Sequence, residues 1–218
     1  MIAIVLAVVV VAGVVAFFLL KGGGGSGGTG QHQSPGAGTP QFSFDLKASK
    51  AIATTQRHPH ANDAVKKAAD EIHSTMDSMY GLAFLDPNRW KSGDYGPVYG
   101  YFQQGKTASV ARRDEAVLTL GPQAGSTFTK VEPNSGSLVV VVLTDRRNAP
   151  YTAAATADFT ASATQTNGKV TVISSHATYY LQSSEGGWVV IGFRANRSDH
   201  AGAGPAPSGA SGTSGSTT

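Results

Sequence analysis

Hydrophobic and polar positions divide the chain into four stretches. Residues 2–20 are nineteen apolar or small residues without a charge, interrupted only by Gly13. At ~1.5 Å of rise per residue, a helix of that length spans ~28 Å, close to the ~30 Å hydrocarbon core of a bilayer. A helix also satisfies its own backbone polar groups in lipid. The stretch is therefore expected to be a transmembrane helix that meets the bilayer through Ile2, Leu6, Val10, Val14, Phe17 and Leu20. In residues 21–40, nine of twenty are glycine, which predicts a flexible tether with a reach of roughly 25 Å. Residues 41–199 carry the periodic patterns of a folded domain. Residues 200–218 are nearly all Gly, Ala, Ser, Thr and Pro, with too little to bury, and are expected to be disordered.

Within the folded stretch, helical patterns come first. Phe42, Phe44 and Leu46 alternate, as in a short strand or an extended packing arm. Val65, Ala68, Ile72, Met76 and Met79 then recur at spacings of three and four. They predict a helix opened by Asn62 or Asp63 and stopped by Gly81. Asp86-Pro87 reads as a cap and first residue of a short helix, broken at Gly93-Asp94. Tyr95, Tyr99 and Phe102 lie at helical spacing in 95–103. Residues 107–113 and 115–120 predict two further short helical segments, the second stopped by Gly121-Pro122.

From residue 127 the pattern changes to strands. Residues 127–132 form a candidate strand, ended by Pro133 and an Asn134-Ser135-Gly136 turn. The Val/Leu run 138–144 has the signature of a strand buried on both faces. Residues 151–164 and 169–181 flank the hairpin signal Thr166-Asn167-Gly168. The last strand, 188–195, places Val189, Ile191 and Phe193 on one face. Three to four helices followed by a meander of about five strands predict an α+β domain, with helices covering a strongly curved antiparallel sheet and closing it into a cone with an internal hollow.

Composition changes this picture little. The chain has 218 residues, 14% charged, and a net charge of +3, too weak and too dispersed for nucleic-acid binding. It has no cysteine, which excludes disulfides, thiolate metal sites and a thiol nucleophile. The anchor lacks the basic region of a secretory signal, since Met1 leads straight into Ile2. That favours retention, while the small residues after Lys21 leave cleavage open. Lys21, Lys47 and Lys50 mildly favour a cytoplasmic domain. An N-terminal apolar segment with a long tether commonly exports the domain behind it, so the expected location is the plasma membrane, single-pass, with an extracytoplasmic domain.

The segments Phe84-Leu85-Asp86-Pro87-Asn88-Arg89-Trp90, Arg112-Arg113-Asp114 to Leu120-Gly121 and Gly186-Gly187-Trp188-Val189-Val190-Ile191-Gly192-Phe193 carry a resemblance over residues 60–198. The chain resembles the nuclear-transport-factor-2-like (NTF2-like) superfamily, the cone shared with ketosteroid isomerase and polyketide-cyclase-like proteins. Its single N-terminal span resembles bacterial envelope proteins: mammalian-cell-entry-associated membrane proteins and conjugation subunits of type IV secretion. The matching segments are packing and turn signatures, so they bear on fold more than on activity.

The candidate chemistry is sparse. The superfamily's isomerase uses a carboxylate base with an acid/tyrosine oxyanion hole. Asp86, Asp94, Tyr95, Tyr99 and Asp158 supply those residue types but match no motif, and helix capping or a polar strand position accounts for the aspartates. Trp90, Tyr95, Tyr99, Phe102 and Tyr180, with Tyr179, could line the mouth of a hollow, though aromatics at helical spacing more often form core. His58-Pro59-His60, His73 and His176 lack the spacing of a metal site. Gly22 to Gly30 lacks the Lys-Ser/Thr ending of a phosphate loop. No catalytic set, cofactor or metal is expected.

The expected function is accordingly a membrane-anchored, non-enzymatic interaction or scaffold module of a bacterial envelope transport or secretion assembly. Its expected partners are the bilayer, an envelope protein and, through the sheet face, a second copy of the chain. The alternative is a small-molecule-binding or cyclase/isomerase-type enzyme domain with an aromatic-lined pocket.

Overall fold

The computed structural model describes residues 38–53, 61–145, 147 and 149–202. The expected membrane anchor, most of the tether, His58 and His60, and residues 203–218 lie outside the described residues. Among the described residues, no helix is long and apolar enough to cross a membrane.

The architecture is α+β. Five strands form one sheet in the order β1-β2-β3-β4-β5. They are β1 (Asp45–Ala53), β2 (Phe128–Thr144), β3 (Pro150–Gln165), β4 (Val170–Ser184) and β5 (Gly187–Ala201). Helices α1 (Ala61–Tyr80), α2 (Pro87–Ser92), α3 (Lys106–Arg113), α4 (Glu115–Leu118) and α5 (Ala124–Thr127) lie between β1 and β2 in the chain. Two tighter or looser turns join them, a π-helical one at Gly81–Leu85 and a 3₁₀ one at Gly96–Tyr101.

The amphipathic stripe of α1 faces the sheet, and Val65, Ala68, Ile72, Met76 and Met79 are all buried. Gly81 does not stop the helix. The next residues, Leu82, Ala83, Phe84 and Leu85, are all buried, so the chain stays coiled and widens into a π turn closed by Asp86 N–H donating to the Gly81 carbonyl at 2.7 Å. Asp86 then caps α2, its side chain accepting from Asn88 N–H at 2.9 Å. Gly93 ends α2 in the left-handed region at φ 71°, as a C-terminal glycine does.

The sheet corrects four sequence expectations. It is not wholly an antiparallel meander, because β1 precedes the helices and pairs in parallel with β2. Residues 128–144 form one strand rather than two strands and a turn. Pro133 and Ser135 face Ala161 and Thr160 in succession, leaving Asn134 as an extra residue. That is a bulge, tied across the strands by Asn134 Nδ2 donating to Ser162 Oγ at 2.9 Å. Proline is tolerated there because β1 pairs only from Ser137 onward, so among the described residues this half of β2 has no strand on that edge. The Val/Leu run is not buried on both faces: Leu138, Val140 and Val142 are buried, whereas Val139 is 40% exposed. Finally, Val189, Ile191 and Phe193 do not share a face. A register shift opposite Tyr180/Leu181 makes Ile191 the extra residue of β5, so Val190 and Phe193 turn to the main core and Ile191 to the outer side.

Candidate functional site

The interior of the cone is filled. Tyr80 from α1, Phe84 from the π turn, Phe159 from β3 and Tyr179 from β4 form a mutually packed floor. Phe159 lies 5.4 Å from Tyr80 and 5.2 Å from Phe84 between ring centroids. Tyr80 lies 6.2 Å from Tyr179, nearly perpendicular to it, the edge-to-face geometry that aromatic quadrupoles favour. Tyr179 donates to the Tyr80 hydroxyl at 3.3 Å, and the buried Ser175 pairs with Phe159 across β3 and β4. Burial raises the pKa of both phenols, that of Tyr179 well above its ordinary value. They therefore stay neutral and act as hydrogen-bonding groups.

An N-terminal arm closes this floor. Phe42 packs 5.2 Å from Phe159, and Phe44 packs 4.8 Å from Tyr80. The arm is tied to one face of α1. Asp77 accepts from Ser43 Oγ at 2.7 Å and from Phe44 N–H at 2.8 Å. His73 Nε2 donates to the Phe44 carbonyl at 2.7 Å.

The aromatic pocket candidates do not gather round one hollow. Trp90, Tyr95, Tyr99 and Phe102 are buried in the helical layer and contribute to the main core. The Tyr95 hydroxyl donates to the Gly121 carbonyl at 3.2 Å. Tyr99 donates to Glu115 at 2.5 Å, with the Arg112 guanidinium 5.1 Å from its ring centre. Burial raises the pKa of both phenols, and for Tyr99 the Glu115 carboxylate raises it further. Phe102 packs edge-on against Phe193 at 5.5 Å. The Trp90 indole N–H finds no acceptor among the described residues. Tyr180 sits on the opposite, outer side of the sheet with Ala154 and Ile191. The open surface clefts, of about 490 and 480 Å³, contain none of these five residues.

The carboxylates are likewise dispersed. Asp86 is a buried cap. Asp94 accepts from Gly96 N–H at 3.0 Å. Asp158 lies on the outer face of the sheet, its carboxylate 2.6 Å from His176 Nδ1. His73 belongs to the arm's tie. Three features escaped sequence reasoning: the Ser43–His73–Asp77 tie, the Asp158–His176 pair, and Arg197. Arg197 donates to the Ala116 and Thr119 carbonyls at 3.2 and 2.6 Å and so fastens β5 to α4. The pair had a signal. Both residues stand nine positions from Asn167, so a hairpin turn centred there sets them opposite each other.

The outer face is graded along its strands. Val141, Ala154 and Tyr180 face one another across β2, β3 and β4. The next row is Val139, Thr156 and Thr178, with the two threonine hydroxyls 3.1 Å apart. Beyond it lie Ser137, Asp158, His176 and Asn196. One half of the face is apolar and the other carries hydroxyl, imidazole and carboxylate groups.

No family model and no curated protein matches this chain. Among solved structures it is similar to a type 2 hexachlorocyclohexane dehydrochlorinase, LinA, with 13% identity and a TM-score of 0.39 over 69% of this chain and 98% of that one. The expectation of a non-enzymatic domain is corrected here. The matched structure is itself an enzyme, so this layout gives no ground for excluding catalysis, and at this identity it assigns none.

Proposed function

We propose that this chain is a membrane-tethered docking domain of a bacterial cell envelope, which engages a protein partner through the outer face of its sheet. The observation that carries this reading is the contrast between the faces. The inner face is filled by its own aromatic side chains, while the outer face presents Val139, 40% exposed, beside the half-buried Val141 and the exposed Asp158–His176 pair. An exposed apolar side chain flanked by polar groups suits a protein interface. The anchor expected in residues 2–20 and the glycine-rich spacer support a tethered domain that searches a shell near the bilayer, where tethering raises the effective concentration of partners.

The test uses the full chain in crosslinked native membranes. Affinity recovery should yield one stoichiometric protein partner, and Val139→Glu should abolish its recovery without lowering thermal stability. Recovery unchanged by Val139→Glu, or no partner under any crosslinking condition, counts against the reading. A second copy of the chain as the recovered species would assign the face to self-association.

A further inference from the structure

Charge on the outer face of the sheet is distributed unevenly. The Glu132 carboxylate is engaged by Lys130 at 2.8 Å, and that of Asp158 by His176 at 2.6 Å. Asp45 lies beside Ser137 on β1, at the far edge of the sheet. Arg194 is exposed on β5, at the opposite edge. It makes no hydrogen bond or ion pair among the described residues. A guanidinium holds its N–H donors in a fixed fork that matches a carboxylate.

Arg194 also stands in register with the exposed apolar residue of the same face. Val139 faces Thr156, Thr156 faces Thr178, and Thr178 faces Arg194, in one row across β2, β3, β4 and β5. Strands lie ~4.8 Å apart, so the ends of that row are roughly 14 Å apart. Between them stand two half-buried threonines, their hydroxyls 3.1 Å apart. An extended segment rises ~3.3 Å per residue and turns alternate side chains to one face. Laid across the strands, it brings residues i and i+4 over Val139 and Arg194.

We propose that the outer face recognises an extended segment of a partner protein by two side chains, an apolar one on Val139 and, about four residues along, a carboxylate on Arg194. This rests on docking through the outer face and adds the partner's chemistry to it. Val139 supplies apolar contact. The guanidinium supplies the choice of partner, because it attracts an acidic side chain and repels a basic one. His176 and Asn196, paired with each other across β4 and β5 and both exposed, offer further polar contacts at the acidic end.

The experiment is an NMR titration of the full chain in micelles with two end-blocked pentapeptides, Leu-Thr-Ser-Thr-Glu and the same sequence ending in Gln. The Glu peptide should bind about fivefold more tightly, the upper range for an exposed ion pair. Arg194→Gln should abolish that preference at an unchanged unfolding midpoint, and Val139→Glu should weaken both peptides. Equal affinities for the parent, no binding of either peptide, or a preference that survives Arg194→Gln overturns the acidic recognition and leaves docking through Val139 standing. Val139→Glu without effect on either peptide contradicts docking through Val139 itself.

Discussion

The two faces of the sheet are made by the same strands, residue by alternate residue, yet they are built for different ends. On β3 the inward positions are Ala153, Ala155, Ala157, Phe159, Ala161 and Ala163, all buried. Five small side chains bring the helical layer close, and one large ring fills the space where α1 and the arm meet. The outward positions between them, Thr156, Asp158, Thr160 and Ser162, pair across to neighbouring strands through hydroxyl, carboxylate and amide groups. The inner face is committed to packing among this chain's own residues. The outer face holds its order with bonds that water or a partner can replace. Stability therefore resides on one side, and freedom to bind on the other.

The sharpest break in that comparison comes with alkali. Tyr101 is pushed up to about 12 by burial, against an ordinary value of 10.0, and Tyr80, Tyr95, Tyr99 and Tyr179 are raised as well. The protonated form is the one the fold holds. This contribution is whole below pH 10, where the unfolded tyrosines titrate, and is lost as pH rises through the folded value. Each such tyrosine should cost about 1.4 kcal/mol of stability per pH unit in that window. Unfolding in urea, followed from pH 9 to 12, should show a steep loss beginning near pH 10. A flat profile would mean that the phenols ionise in place and the inner layer is wet.

Phe159→Ala removes the ring that touches Phe42, Phe44, Tyr80 and Phe84. It should lower unfolding stability by about 3–5 kcal/mol, as large-to-small core substitutions do. Val139→Ala on the outer face should stay within about 0.5 kcal/mol. Equal losses in denaturant titrations would erase the distinction between the faces.

Gly125→Ala tests the helical layer's seat. A Cβ there would stand 2.3 Å from the Lys91 carbonyl oxygen, with backbone atoms on both sides. Overpacking of about 1–3 kcal/mol is expected, seen as a lowered denaturation midpoint. A neutral result would show that α5 and α2 can part freely. The smallest effect belongs to Asp158→Asn. That pair is more than half exposed on both partners, so no more than about 1 kcal/mol should be lost. A larger loss would give the outer face a structural role.

The sequence disclosed most where a short signal had one physical solution. The α1 stripe, the Asp86-Pro87 cap, the Gly93 stop and the Asn167-Gly168 hairpin each depend on neighbours within a few residues, and each stands where its pattern puts it. It disclosed least where distant chain segments decide. Pro133 and Asn134 look like a turn until β3 runs past them and absorbs them as a bulge. Gly81 looks like a stop until the buried run behind it demands that the coil continue. β1, with sequence DLKASKAIA, shows no clean alternation, and its parallel partner lies roughly ninety residues away. Among the site candidates, Trp90, Tyr95, Tyr99 and Phe102 were legible as buried aromatics. Their separation from Tyr180 by the thickness of the sheet was not, because strand parity downstream of a bulge cannot be read locally.

The most direct test of the division between the faces is site-specific photo-crosslinking of the full chain in its native membrane, with the crosslinker placed at position 139 and, as control, at position 185 in the turn between β4 and β5. If the outer face is the docking surface, position 139 yields one discrete protein adduct, recovered in proportion to the chain, and position 185 yields none. The same adducts from both positions, or none from 139, would contradict it.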